Sequence, residues 1–303
     1  MSQEIKNVIV IGASGNLGPY LVDELVNSKF AVSVLTRATS NSAFHENVKV
    51  FRTDYSKSSL LEALQGQDVV VSAIATFSTQ QQKTIVDAAV KAGIKRFIPS
   101  EYGVDTSLPQ IPKILPPAQP KVDTVEYLKT KEKSGMSWTG ICVGAWFDWV
   151  LEIGNGLMGF DIHTHTVTIF NSGDQPYEAT NLRQIGRAVV STLLHLQETE
   201  NKYIYVNSFT VTQNRVLAAL ENATQKKWVV KKDTVERLAA SGIEKINDGD
   251  VSVGTVDVIT AAIYGHGAVN NFGEKIEKWN RILGLPDEDL DTVVRGLVEK
   301  ARA

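Results

Sequence analysis

Gly12, Gly15 and Gly18 are each separated by two residues in the run Gly12-Ala13-Ser14-Gly15-Asn16-Leu17-Gly18, and glycines so placed have a definite chemical use. Without a Cβ they allow a tight bend and the close approach of a pyrophosphate. The free N–H groups and positive dipole end of a following helix would meet its charge. The spacing departs from the G-x-G-x-x-G fingerprint, so context carries more weight than the pattern. An apolar β-branched run, Val8 to Ile11, precedes the glycines, and a helical pattern of Leu17, Tyr20, Leu21, Leu25 and Val26 follows them. A dinucleotide is therefore expected on Gly12, Ser14, Gly15, Asn16, Leu17 and Gly18.

Arg37 decides which dinucleotide. It ends the strand-like run Ala31 to Thr36, where a fold preferring NAD places Asp or Glu on the ribose hydroxyls. No acid follows this strand. A guanidinium can instead pair with the additional phosphate of NADP through charge-assisted hydrogen bonds, so NADP is expected, with a solvated surface arginine as the alternative.

These residues need a sheet to hold them. Strand and helix patterns alternate through Val48 to Thr53, Ser56 to Leu64, Asp68 to Ala73, Thr79 to Ala92 and Arg96 to Ile98, which predicts an α/β fold with a doubly wound parallel sheet. Ligands of such sheets lie beyond the carboxyl ends of the strands. The candidates there are Arg37, Asp54, Ala75, Thr76, Phe77, Ser100, Glu101 and Tyr102. Asp54 could equally cap the helix near Ser56, and Thr76 or Ser78 the next one. Five prolines and no helical period mark Val104 to Pro120 as a long loop of the kind that forms lids. A helix from Lys121 to about Lys133 then leads into a strand, Ser137 to Val143, followed by Trp146, Phe147 and Trp149. Three aromatics at this edge are expected to build an apolar pocket beside a nicotinamide, although core packing is the plainer use of such residues.

Composition narrows the partners. The chain has 303 residues, 43% of them hydrophobic, with a formal net charge of −3 and no basic block, which argues against nucleic acid. No run of about eighteen apolar residues predicts a membrane span, and the start of the chain lacks a signal-type segment, so a cytoplasmic monomer or homodimer is expected. Cys142, flanked by Ile141 and Val143, is expected to be buried and not nucleophilic. His163 and His165 alternate as strand residues would and so share a face. With Asp161 alone nearby they do not complete a metal site, and none is expected.

Several segments together resemble one family: the Gly12 to Gly18 loop, Arg37, Gln82 followed by Ile85-Val86-Asp87-Ala88-Ala89, and Gly93-Ile94-Lys95-Arg96-Phe97-Ile98-Pro99-Ser100-Glu101-Tyr102-Gly103. Asn181 to Val190 and Asn270-Asn271-Phe272 extend the likeness. The chain resembles the isoflavone reductase-like, NmrA-like branch of the atypical short-chain dehydrogenases, in particular its fungal members. The resemblance implies an NADPH-dependent reductase acting on a small aromatic, phenolic or enone/carbonyl substrate, with secondary metabolism as its setting. It implies a Rossmann-type NADP-binding domain over 1–150, rejoined by later segments such as 181–206, and a smaller α/β substrate cap over 151–303. Tyr102, Trp146, Phe147, Trp149, His266 and Phe272 are the expected substrate contacts, with Gly265-His266-Gly267 as a turn at the mouth.

Reductases of this family use a lysine as general acid or base near the start of the helix after the proline-rich loop, which implies that role for Lys121. An ungapped count from Gly135 points to Thr124 instead, one helical turn away on the same face. A lysine there can also touch the cofactor. Tyr127 with Lys131 forms the competing Tyr-x-x-x-Lys pair of ordinary short-chain dehydrogenases. Two other functions stay open on this fold: a regulator that senses NADP without turnover, and a redox-neutral isomerase or cyclase.

Overall fold

The computed structural model describes residues 5–76, 81–265 and 267–302. Six strands are laid down first: β1 (Asn7–Ile11), β2 (Ala31–Arg37), β3 (Lys49–Thr53), β4 (Val69–Ser72), β5 (Arg96–Ile98) and β6 (Ser137–Cys142). Four short ones follow, β7 (Ala145–Trp146), β8 (Phe160–Asp161), β9 (Thr166–Phe170) and β10 (Tyr177–Thr180), before β11 (Lys202–Tyr205). The main sheet runs β11-β6-β5-β4-β1-β2-β3, with all of its pairs parallel. The order reverses at β1, between β2 and β4, and that reversal opens the crevice in which such sheets bind ligands. Val8 to Ile11 pair with Val32 to Leu35 on one side and Val69 to Ser72 on the other, and none of Val8, Ile9, Val10 or Ile11 is exposed. A strand covered on both faces reads as an unbroken β-branched run, which is why this one is so plain in the sequence.

Helices α1 (Gly18–Asn27), α2 (Lys57–Leu64), α3 (Gln82–Ala92), α4 (Ile111–Ile114), α5 (Gln119–Lys129), α6 (Phe147–Ile153) and α7 (Leu182–Leu194) are interspersed among these strands. One face of the sheet is covered by α1 and α7, the other by α2, α3 and α5. Ser56 caps α2, its side chain accepting from the Ser59 N–H. Pro120 lies in the first turn of α5, where a missing N–H costs no hydrogen bond, and it immediately precedes Lys121. The segment expected as a long loop contains α4 and a 3-10 turn over Pro116–Ala118, because prolines at helix starts fold it locally.

Beyond Leu194 the chain adds β12 (Phe209–Val211), α8 (Gln213–Thr224), β13 (Val229–Asp233), α9 (Val235–Asn247), α10 (Val251–Gly265), α11 (Gly267–Asn270), α12 (Glu274–Ile282) and α13 (Leu290–Arg302). Two small sheets, β12-β10-β7 and β13-β9-β8, share a separate apolar cluster with α6, α8, α10 and α13. His163 and His165 do not alternate on a strand. Asp161 Oδ1 accepts the His163 and Thr164 N–H groups at 3.0 Å each and bends 162–165 into the turn between β8 and β9. Among the described residues no cluster of His, Cys, Asp and Glu could hold a metal, and no helix is long and apolar enough to cross a membrane.

Two buried polar anchors tie distant segments together. Arg96, 2% exposed, donates to Ser137 Oγ, Thr139 Oγ1, Thr199 Oγ1 and the Leu196 carbonyl at 2.7–3.0 Å, so one guanidinium links β5, β6 and the segment before β11. Glu178 on β10, 1% exposed, accepts from Asn207 Nδ2, Thr210 Oγ1 and the Phe272 N–H, and Asn270 donates to its carbonyl. Phe272 then packs on Tyr205, with ring centroids 5.1 Å apart, and joins Trp279 in the cluster on the α1 and α7 face. The expectation of Phe272 as a substrate contact is thereby corrected: the backbone anchor at Glu178 turns its ring toward the main sheet.

Candidate active site

The glycine turn is closed by contacts that only glycine permits. Gly12 has φ +86°, and a Cβ there would stand 2.4 Å from the Ala73 carbonyl oxygen at the end of β4. A Cβ on Gly18 would lie 2.4 Å from the Ala13 backbone, so this glycine lets α1 start hard against the turn. The Gly15 N–H donates to the Gly12 carbonyl at 3.0 Å. Helix α1 then begins without a side-chain cap, which leaves its first N–H groups for an anion. A pyrophosphate fits this cradle, since the room is made by missing side chains and the donors are already aimed.

Next to the turn lies a cavity of about 370 Å³. Gly15, Asn16 and Leu17 reach it from the turn, and Ala73, Ile74, Ala75 and Thr76 from the end of β4. Ser100, Glu101 and Tyr102 arrive from the end of β5, Lys121 from α5, and Trp146 and Trp149 from the aromatic segment. Eleven of the residues singled out from sequence thus meet at one place: Gly15, Asn16, Leu17, Ala75, Thr76, Ser100, Glu101, Tyr102, Lys121, Trp146 and Trp149. Ser100 is pinned on both sides, its N–H donating to Gln82 Oε1 at 2.9 Å and its hydroxyl to the Ile74 carbonyl at 2.7 Å. Trp146 donates its indole N–H to the Tyr102 carbonyl at 2.9 Å and meets Trp149 edge to face. The two rings are therefore fixed as a wall.

Other candidates lie elsewhere. Gly12, Ser14 and Gly18 are not among the lining residues, and Gly12 and Gly18 shape the turn from behind. Arg37 is exposed at the carboxyl end of β2, where its charge is felt by the half-buried Tyr55. Asp54 is exposed and accepts the Ser56 N–H at 2.9 Å, and hydrogen bonds from Ser56 hold its carboxyl below the usual range. Its oxygen organises the entry to α2. Phe147 is corrected as a substrate contact: the first residue of α6, it turns into the C-terminal cluster and packs edge to face on Phe209 at 5.0 Å. Phe272 lies on the sheet face described above and does not line the cavity. Phe77 and His266 lie outside the described residues.

Lys121 brings the reactive group. Its ammonium donates to the backbone carbonyl of Glu101 at 2.8 Å, and burial pushes it below the ordinary lysine range, with Glu101 and Cys142 opposing. Thr124, one turn along, is fully buried and returns its hydroxyl to the Pro120 carbonyl. Tyr127 and Lys131 both bind Asp87, at 2.5 and 3.0 Å, on the side of α5 that meets α3, and neither lines the cavity. Glu101 is 1% exposed, and burial raises its carboxyl to about 7 against the pull of Lys121 and the Thr106 hydroxyl. The arrangement offers an amine, a protonatable acid and an aromatic corner beside a dinucleotide turn. Such groups can steady an oxygen that is becoming negative and deliver it one proton.

Sequence reading did not find the far wall. Val256, Ile259, Thr260 and Ile263 of α10 line it, together with Leu157 and Met158. The available signal was the composition of α10, which is apolar nearly all round, so that it must bury a second face against something besides its own core.

The sequence profile of the NmrA-like family matches residues 4–278. The oxidoreductase aprR of Aspergillus flavus is 35% identical over 297 residues, covering 96% of this chain and 98% of that protein. The isoflavone reductase homolog IRL of Zea mays is 26% identical and covers 90% of each. Among solved structures, the leucoanthocyanidin reductase–NADPH complex from Vitis vinifera superposes with a TM-score of 0.79 at 19% identity, covering 97% of this chain and 99% of that one. The structure of AtPrR2 with NADP+ and (+)pinoresinol has the same TM-score at 20% identity, with the same coverage of both chains. These two likenesses speak for the fold.

Proposed function

The chain belongs to the NmrA-like family and is an oxidoreductase, and we propose that it takes its hydride from NADPH and reduces a small aromatic, phenolic or enone/carbonyl compound, with Lys121 as the general acid. The single observation that carries this reading is the Lys121 ammonium at an apolar cavity continuous with the glycine turn. A cofactor-sensing protein without turnover has no need of an open cavity there, nor of a lysine with depressed proton affinity.

When bound, NADPH supplies the hydride; the chain supplies the surroundings. Gly12, Gly15, Gly18 and the start of α1 would hold the pyrophosphate, and Arg37 the additional phosphate. Trp146 and Trp149, set edge to face, offer a ring-shaped substrate an apolar corner. Lys121 meets the oxygen on which charge develops and gives it a proton, which its desolvated site favours. Titration with both reduced cofactors tests the first half: NADPH should bind at least about tenfold more tightly than NADH, and Arg37→Ala should abolish the difference. Equal affinities in the unmodified protein would remove Arg37 from the phosphate.

A further inference from the structure

Glu101 stands where an ionised carboxyl gets little help. It is 1% exposed; its Oε2 accepts from the Thr106 hydroxyl, and its Oε1 has no hydrogen-bond partner among the described residues. Among the described residues, Lys121 gives a hydrogen bond to the Glu101 backbone carbonyl and none to its carboxyl, which keeps the amine beside the residue without donating to the acid. The surrounding elements bring mostly neutral or negative groups. Asp105, from the same loop, is buried and binds the Tyr205 hydroxyl at 3.0 Å. Cys142 comes from β6, and Tyr203, from β11, sets its hydroxyl 3.0 Å from Thr106 Oγ1. Lys275 of α12 reaches Asp105 at 3.6 Å. A buried carboxylate with one donor and no cation on its oxygens is costly, and the usual escape is to keep the proton.

We propose that Glu101 is a positioning residue: as a neutral acid it leaves Lys121 without a counter-ion and so makes that ammonium a stronger proton donor, until rising pH ionises Glu101 and converts the two into an ion pair. This rests on Lys121 being the acid of the reaction. The proton passes from the Lys121 ammonium to the substrate oxygen and leaves a neutral amine. Glu101 exchanges only its own proton with solvent and forms no bond to the substrate. Burial sets the Glu101 carboxyl at about 7, so the change of state falls near neutrality. Above it, the carboxylate strengthens the hold of Lys121 on its proton, and acid catalysis weakens.

The test uses the protein alone. Infrared difference spectra between the unmodified chain and Glu101→Gln should show a protonated-carboxyl band near pH 6 that disappears with a midpoint near 7. In parallel, the Lys121 Nζ resonance, assigned by its loss in Lys121→Ala, is followed through its alkaline titration. A neutral amide cannot pair with the ammonium, so Glu101→Gln should lower that midpoint by about one unit, a tenfold fall in proton affinity. Thr106→Val, which removes the one donor to the acid, should move the carboxyl midpoint upward and gives a second reading should the glutamine variant fold poorly. An absent band, or a Lys121 midpoint unmoved by Glu101→Gln, overturns the inference and leaves the role of Lys121 standing. Turnover that survives Lys121→Ala overturns the functional reading whatever the titrations give.

Discussion

Helix α5 has a lysine beside a carboxyl near each of its ends, and the two pairs behave oppositely. At the outer end the Tyr127 hydroxyl and Asp87 raise Lys131, whose ammonium lies 4.2 Å from the centre of the Tyr127 ring. Burial works to raise Asp87, but hydrogen bonds from Tyr127 and Lys131 outweigh it and bring the carboxyl below its ordinary range. Both partners are held charged. At the inner end burial leads for both groups, raising Glu101 and lowering Lys121, so each is drawn toward its neutral form. A half-exposed pair is dominated by mutual attraction that water largely screens, and is worth about 1 kcal/mol or less. A buried pair without direct contact is dominated by desolvation, and that is the condition in which an amine can give up a proton near neutral pH.

The comparison breaks most visibly at Lys121. Lys121→Ala should lower single-turnover hydride transfer by about 10²- to 10⁴-fold while cofactor affinity stays within a few-fold. Comparable loss of NADPH binding would mean that the amine serves the cofactor and not the substrate oxygen. Arg37→Ala sharpens this from the other side, since it should weaken NADPH about tenfold or more with little change in turnover at saturating cofactor, as measured by fluorescence titration.

Stability against pH separates the acids. In the folded chain Glu101 keeps a proton to about 7 and Asp148 to about 6, whereas the unfolded chain releases both earlier. The native state therefore binds more protons across the interval from the ordinary carboxylate range up to about 7, and stability falls as pH rises through it. Denaturant midpoints should fall across that interval and fall less steeply in Glu101→Gln. A rising midpoint would contradict the burial of both groups. The smallest effect belongs to the outer pair: Lys131→Ala should change turnover by less than about twofold and stability by about 1 kcal/mol or less. A turnover loss there near that of Lys121→Ala would restore the Tyr127 and Lys131 pair as the catalytic one.

Local rules made the parallel sheet legible, because a strand covered on both faces announces itself in Val8 to Ile11 and the glycine turn follows at once. The gathering of Ser100, Glu101 and Tyr102 with the turn was legible for the same reason, since they end a neighbouring parallel strand. Side-chain direction was not. Phe147 and Phe272 are aromatic, as a pocket wall would be, but a helix start in one case and the Glu178 anchor in the other turn them into cores. Tyr127 and Lys131 match a catalytic spacing yet bind Asp87, 40 residues before the tyrosine, and no local pattern reports that contact. The α10 wall depends on how the last third of the chain packs against the first, which spacing alone does not encode.

Arg96 also sets a timetable for synthesis. Its last acceptor, Thr199, lies 103 residues downstream, and the Leu196 carbonyl lies 100 downstream. At about 5–20 residues per second, a ribosome delivers those acceptors roughly 5 to 20 s after the arginine has been made. Throughout that interval the guanidinium lacks two of its four acceptors, so sealing β5 under its final cover would leave buried donors unpaired while the chain is still short. A nascent chain halted with Leu196 still inside the exit tunnel should remain open to proteases around Arg96. One released far enough to expose Tyr205 should close.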